Sequence, residues 1–288
     1  MIRNIEKTIM VRIILLAFFP VFLFGQNVEV AGKLIDSKRK SEIAYANIGV
    51  LNKTVGTVTD AQGVFNLSLS ERVKDTDTVM ISMIGYENRT FKVAEFRKAL
   101  SKSKVIGLTP KSYNLDEITV IPKGNKTKLV GNKKRNENIS VSFTNNNMGH
   151  EMAVLLKIKK RPTTVEKVFI NITGCTYDSI FYRLNIYEYD KKAKTPGKNL
   201  LPKPVYLNFT KAETEETLMI DLSDLNVWVK DDFVVSLELI KDLGEGDINF
   251  SASFFKSKGF ARMISQGGWE EAPIRVGAGI YAEIRYDK

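Results

Sequence analysis

Residues 54–70 read TVGTVTDAQGVFNLSLS. After the turn formers Asp60 and Gly63, Phe65, Leu67 and Leu69 recur at every second position. That is the period of a half-buried strand, so the stretch predicts two strands joined by a tight turn. The pattern continues on both sides. Upstream, Val28, Val30, Gly32 and Leu34 alternate with polar residues in VEVAGKLID, and IAYANIGVL follows at 43–51. Downstream, DTVMISMIGY (77–86) is fuller in apolar residues and suits a buried strand. NRTFKV, VIGLTP and LDEITVIP read as further short strands, with one or two helical turns over AEFRKALSK (94–102).

The second half, residues 139–288, repeats the theme on a larger scale. About ten strand-like runs at regular spacing, separated by turn clusters, predict a two-sheet sandwich of jelly-roll type. TPGKNLLPKP (195–204) reads as a long hairpin loop. Between the halves, residues 122–138 (PKGNKTKLVGNKKRNEN) lack periodicity and carry six Lys/Arg against one Glu, the composition of a linker. The fold class is therefore all-β: a seven-strand sandwich over 26–121, a basic linker over 122–138 and a jelly-roll-like sandwich over 139–288.

Composition narrows the chemistry. The chain has 288 residues, 43 Lys+Arg, 33 Asp+Glu, one His and one Cys, for a net charge of +10. One His excludes His-rich metal centres built by this chain alone, and one Cys excludes an internal disulfide. No metal and no cofactor are expected. Much of the positive excess lies in the linker and not on a folded face, so nucleic acid is not an expected partner. Residues 1–25 combine Arg3, Lys7 and Arg12 with the apolar run Ile13–Phe24, the form of a secretory signal peptide. The expected product is an exported chain with no transmembrane span after signal removal, in the periplasm or at the outer membrane and cell surface. Cys175, alone in such a chain, is expected to be buried and inert.

Residues 28–121 resemble the carboxypeptidase-like regulatory domain, a transthyretin-like β-sandwich. VAGKLID, IAYANI, GTVTDAQGVFNL and VMISMIGY carry the resemblance, with Gly56, Thr57, Asp60, Gly63, Phe65, Ile84, Gly85 and Tyr86 as its distinctive positions. In exported Bacteroidetes proteins this domain often precedes a TonB-dependent receptor barrel; in carboxypeptidases it sits beside a zinc catalytic domain. Neither pattern follows here. The resemblance implies the fold, export and an accessory or binding role, not transport or peptidase activity.

Catalytic motifs are missing: there is no G-x-S-x-G, P-loop or H-E-x-x-H. His150 reads as a surface or capping residue. Acidic clusters at Asp221/Asp224, Asp231/Asp232, Asp242/Glu245/Asp247 and Glu270/Glu271 leave one alternative open, a carboxylate-based glycan hydrolase or lyase on the C-terminal sandwich. The aromatics point elsewhere. In IFYRLNIYEYD (180–190), Ile180, Tyr182, Leu184 and Ile186 share one strand face, which is core. Phe181, Arg183, Asn185, Tyr187 and Tyr189 share the other. Flat rings beside hydrogen-bonding side chains suit sugar stacking, and Trp269 in QGGWEEAP is a loop aromatic of the kind that anchors ligands. The candidate ligand-binding residues are Phe181, Arg183, Tyr187, Tyr189 and Trp269. The expected function is a non-enzymatic envelope binding or docking module for a glycan or an outer-membrane protein partner.

Overall fold

The computed structural model describes residues 28–111, 124–143, 146–159, 162–255 and 257–287. The expected signal peptide at 1–25 and the LDEITV stretch at 115–120 lie outside these residues.

Seven strands build the first sandwich: β1 (Val28–Asp36), β2 (Asn47–Val50), β3 (Gly56–Val58), β4 (Val64–Leu69), β5 (Thr78–Ser82), β6 (Arg89–Lys92) and β7 (Val105–Leu108). They form a three-stranded sheet, β4-β1-β7, and a four-stranded sheet, β3-β2-β5-β6. The turn in the 54–70 stretch is where expected, but β3 and β4 belong to different sheets. Asp60 Oδ1 accepts the amides of Gln62 and Val64 at 2.9 and 2.8 Å, and this turn carries the chain from one sheet to the other instead of closing a hairpin. Phe65, Leu67 and Leu69 point inward, as the alternation requires. Among the described residues the one long helix, α1 (Val93–Lys102), closes the core with Val93, Phe96 and Leu100, one turn or two apart on one face. Glu95 accepts the Lys92 amide at 3.0 Å at its start.

The second sandwich has more strands than the ten expected. In chain order these are β8 (Lys126–Gly131), β9 (Ser140–Ser142), β10 (Glu151–Leu156), β11 (Thr163–Cys175), β12 (Ser179–Asp190), β13 (Thr195–Asn199) and β14 (Val205–Thr210). A one-turn helix, α2 (Lys211–Thr214), precedes β15 (Thr217–Asp221), β16 (Val227–Val229), β17 (Phe233–Leu239) and β18 (Ile248–Phe254). The last are β19 (Gly259–Arg262), β20 (Glu270–Glu271), β21 (Val276–Ala278) and β22 (Ile280–Tyr286). A seven-stranded sheet runs β13-β12-β17-β10-β19-β20, with β14 also on β12; an eight-stranded sheet is centred on β18-β11-β22. The chain changes sheet at most connections, the wrapping expected of a jelly roll. Leu184, Val235 and Val154 from one sheet meet Val168, Phe250 and Ile284 from the other in the core.

Two expectations need correction. Residues 126–131, read as linker, form β8, the edge strand that pairs with β22 from Tyr281↔Gly131 to Tyr286↔Lys126. An edge strand buries little, so KTKLVG needs no apolar alternation: only Val130 is buried. The second sandwich therefore starts before residue 139. Likewise Thr195–Asn199, read as loop, pairs with the end of β12 as β13. Pro196 is tolerated because this is an edge strand.

Candidate functional site: a cleft between the two sandwiches

The alternation along β12 divides its residues as expected. Ile180, Tyr182, Leu184 and Ile186 enter the core of the second sandwich. The opposite face meets the first sandwich instead of solvent. Arg183 donates from Nη1 to the Tyr45 carbonyl at 2.6 Å, and the rings of Tyr45, Phe181 and Tyr206 lie 5.1–5.6 Å apart. A second contact comes from the loop after β19. There Gln266 donates to Ser82 Oγ at 2.7 Å, and its carbonyl accepts the Asn52 amide at 3.4 Å. This contact depends on two glycines. A Cβ on Gly49 or Gly56 would sit 2.4 or 2.2 Å from the Ser265 carbonyl oxygen, so only glycine lets the loop approach β2 and β3.

The register of four neighbouring strands sets the chemistry beneath the contact. Arg183 on β12 faces Glu238 on β17, Glu238 faces Glu151 on β10, and Glu151 faces Arg262 on β19. The row therefore reads Arg–Glu–Glu–Arg across one sheet face. Arg183 donates from Nε and Nη2 to Glu238 Oε2 at 2.9 and 2.7 Å, and Arg262 pairs with Glu151. The two like charges are bridged by Asn185, whose amide donates to Glu151 at 2.9 Å and to Glu238 at 2.8 Å. Tyr187 donates to Glu151 at 2.9 Å, and Ser236 also donates to it. Each buried charge thus has an opposite partner, the condition under which ionised groups survive out of water.

Electrostatics follow from this packing. Burial alone would push the Glu238 carboxyl up, but the Arg183 and Arg262 charges and the Asn185 and Arg183 hydrogen bonds hold it below its ordinary range. Burial raises the Tyr187 phenol well above its usual value, and the Glu151 charge adds to this. A depressed carboxyl contributes stability that is complete above the ordinary glutamate value of about 4.3 and is lost as pH falls through the folded value. Denaturation midpoints should therefore drop more steeply below pH 5 for the parent chain than for Glu238→Gln. Parallel slopes would show that Glu238 is not held ionised by its partners.

Above the row lies a cavity of about 360 Å³, lined by both sandwiches. Its walls carry five side-chain amides, from Asn47, Asn88, Asn185, Asn199 and Gln266, with Arg183, Arg262 and Glu238 at one side and Lys111 and Lys198 among its other lining residues. Among the described residues, six buried side-chain polar atoms have no hydrogen-bond partner, and three belong to this lining: Asn47 Oδ1, Glu238 Oε1 and Arg262 Nε. Leaving a buried polar group unpaired costs about 1–3 kcal/mol, and these three atoms lie beneath the cavity wall with almost no exposed surface.

The expected site residues divide between places. Arg183 (2% exposed) and Tyr187 (8%) line the cavity but are buried, so neither offers a free stacking face. Trp269 packs behind them, its ring 5.8 Å from Tyr187 and 4.7 Å from the Arg262 guanidinium. Phe181 belongs to the inter-sandwich aromatic cluster. Tyr189 lies 6.2 Å from Phe260 and lines a separate cavity with Trp228, Asp231 and Asp232. Of the stacking face expected on β12, Phe181 and Arg183 are covered by Tyr45 and Met83 of the first sandwich and Tyr187 by Trp269, while Tyr189 stays half-buried away from them. His150 is buried against Phe143, at 4.9 Å between rings, and is not a surface cap. Cys175 is half-buried, its thiol 3.6 Å from the Tyr177 carbonyl.

Of the acidic clusters, Asp231 is engaged by Lys191 and Asp232 accepts the Ile158 amide at 3.0 Å; Asp221 Oδ1 accepts the Ser223 amide at 2.9 Å, and Asp242 Oδ1 accepts the Gly244 amide at 2.8 Å. Among the described residues no group of three or more His, Cys, Asp or Glu could hold a metal ion. The acids that matter here, Glu151 and Glu238, were not among the sequence candidates. Their signal was a charged residue at an outward position inside an apolar strand, as in FVVSLEL.

Comparison with known proteins bears on the first sandwich. Residues 30–120 match the family model of the CarboxypepD_reg-like domain, in agreement with the seven-stranded fold. A 119-residue stretch is 31% identical to the TonB-dependent receptor SusC of Bacteroides thetaiotaomicron, covering 40% of this chain and 11% of the receptor. Structures of infectious bursal disease virus, Gx and Gt strains, align over 90% of this chain and 63% and 59% of theirs. Their identities are 7% and 11%, and a TM-score of 0.19 in each case carries no argument about fold.

Proposed function

We propose that this chain is a non-enzymatic, exported envelope protein that binds a polar ligand, a glycan in our reading, in the cleft between its two sandwiches. The observation that carries the reading is the cavity lined by both sandwiches, with the side-chain amides of Asn47 and Asn88 from the first and of Asn185, Asn199 and Gln266 from the second, so the site exists only when both are in place.

Four further points bear on it. The matched domain is of a regulatory-like, non-catalytic kind. The partial similarity to a TonB-dependent receptor, together with the secretory pattern of residues 1–25, favours the cell envelope. Among the described residues no helix is long and apolar enough to cross a membrane. The amides lining the cavity can each donate and accept, which suits the hydroxyls of a sugar.

The test is a glycan array probed with the full exported chain and with Asn47→Ala. Asn47 already lacks a partner for its carbonyl, so its removal should leave the fold intact. Retention of a defined set of glycans by the parent chain, reduced at least tenfold in Asn47→Ala, is the expected result. A blank array, or retention unaffected by Asn47→Ala, would overturn the cleft reading. Release of reducing ends or unsaturated products from a bound glycan would replace it with the hydrolase or lyase alternative.

A further inference from the structure

The charges lining the cleft do not cancel. Arg183 is matched by Glu238, both buried, and the half-buried Arg262 by the buried Glu151. That leaves Lys111 and Lys198, both exposed, both lining the cavity and neither in an ion pair among the described residues. Lys111 reaches the cleft from the segment after β7 of the first sandwich, its amide fixed to the Gly85 carbonyl at 2.9 Å. Lys198 comes from edge strand β13 of the second, next to Asn199, which donates to Asn185 at 2.9 Å. The surplus is thus two positive charges, supplied by opposite walls, over a floor that is neutral by internal pairing.

The walls add amides: Asn88 is exposed and Asn199 half-buried, and both line the cavity with Asn47. An amide both donates and accepts, and a ring carrying several hydroxyls can meet both, since each hydroxyl does the same. Taken with the unpaired lysines, this specifies a polyhydroxylated ligand bearing an acidic group.

We propose that the cleft recognises an acidic sugar: hydroxyls are held by the side-chain amides of Asn47, Asn88 and Asn199, and a carboxylate is held by Lys111 and Lys198. This deepens the binding reading above and rests on it. The cavity, at about 360 Å³, lies at the small end of the range of about 300–1,000 Å³ for ligand pockets, which limits the ligand to a short saccharide.

The test is calorimetric titration of the full exported chain with digalacturonate, with its neutral counterpart galactobiose and with inorganic phosphate. Saturable binding of digalacturonate is expected, weakened at least tenfold in the Lys111→Ala/Lys198→Ala double variant and weakened further by salt. Galactobiose should bind more weakly, and the double variant should not change it. Both lysines are exposed, so the variant should fold. Galactobiose binding as tightly as digalacturonate, or a double variant with unchanged affinity, would overturn the acidic-sugar assignment; in the first case sensitivity to Asn47→Ala would still uphold the cleft. Phosphate binding as tightly as digalacturonate would reduce the site to a general anion patch and overturn the assignment. Failure of every sugar here, with a blank glycan array, would remove both readings together.

Discussion

Arg183→Ala should destabilise the chain by about 3–5 kcal/mol, the cost of leaving a buried charge without its partner. Arg183 is 2% exposed and Glu238 is fully buried, so water cannot replace the lost guanidinium. Four hydrogen bonds disappear with it: two to Glu238, and those to the Tyr45 carbonyl and the Met83 sulfur that join the sandwiches. Asn185 would remain as a donor to Glu238, but an amide does not cancel a charge. The companion experiment removes both partners. An Arg183→Met/Glu238→Leu double variant should recover most of the loss, because two apolar side chains leave nothing buried and unpaired. Equilibrium denaturation of the parent, the single and the double variant closes the cycle. A single variant within about 1 kcal/mol of the parent would show that the Arg183–Glu238 pair is open to water.

Gly56→Val should separate the loop at 263–268 from the first sandwich and abolish ligand retention. Even a bare Cβ at this position would lie 2.2 Å from the Ser265 carbonyl oxygen, and backbone cannot give way as a side-chain tip can. The loop must withdraw, taking with it the Gln266 bonds to Ser82 and Asn52. Overpacking of this kind costs about 1–3 kcal/mol. The loss of binding should exceed the loss of stability, because the cleft needs both walls while each sandwich keeps its own core. Small-angle scattering should show a larger radius of gyration. An unchanged radius with full ligand retention would mean that the loop relaxes without opening the cleft.

Much of the architecture was legible in residue alternation. The core face of β12 and the inward course of Phe65, Leu67 and Leu69 follow from period two alone. Edge strands were harder. KTKLVG and TPGKN bury too little to alternate, so β8 and β13 read as linker and loop. The site was half legible. Arg183 and Tyr187 stood out because polar and aromatic residues share the non-core face of β12. The rest of the row was hidden, since Glu151, Glu238 and Arg262 sit on three other strands and only register brings them together. Nothing in the local pattern of Asn47 or Gln266 marks them as neighbours of that row; a contact between two sandwiches with separate cores leaves no periodic trace. Gly56 was visible as a distinctive position, but its reason, the approach of Ser265, lies more than two hundred residues away.

The most direct measurement is a crystal structure of the full exported chain grown with the tightest binder from the glycan array. The ligand should lie between the two sandwiches, against Asn47, Asn199, Lys111 and Lys198. A ligand seated in the cavity beside Trp228 and Tyr189, or one that touches none of those four residues, would contradict the assignment of the cleft.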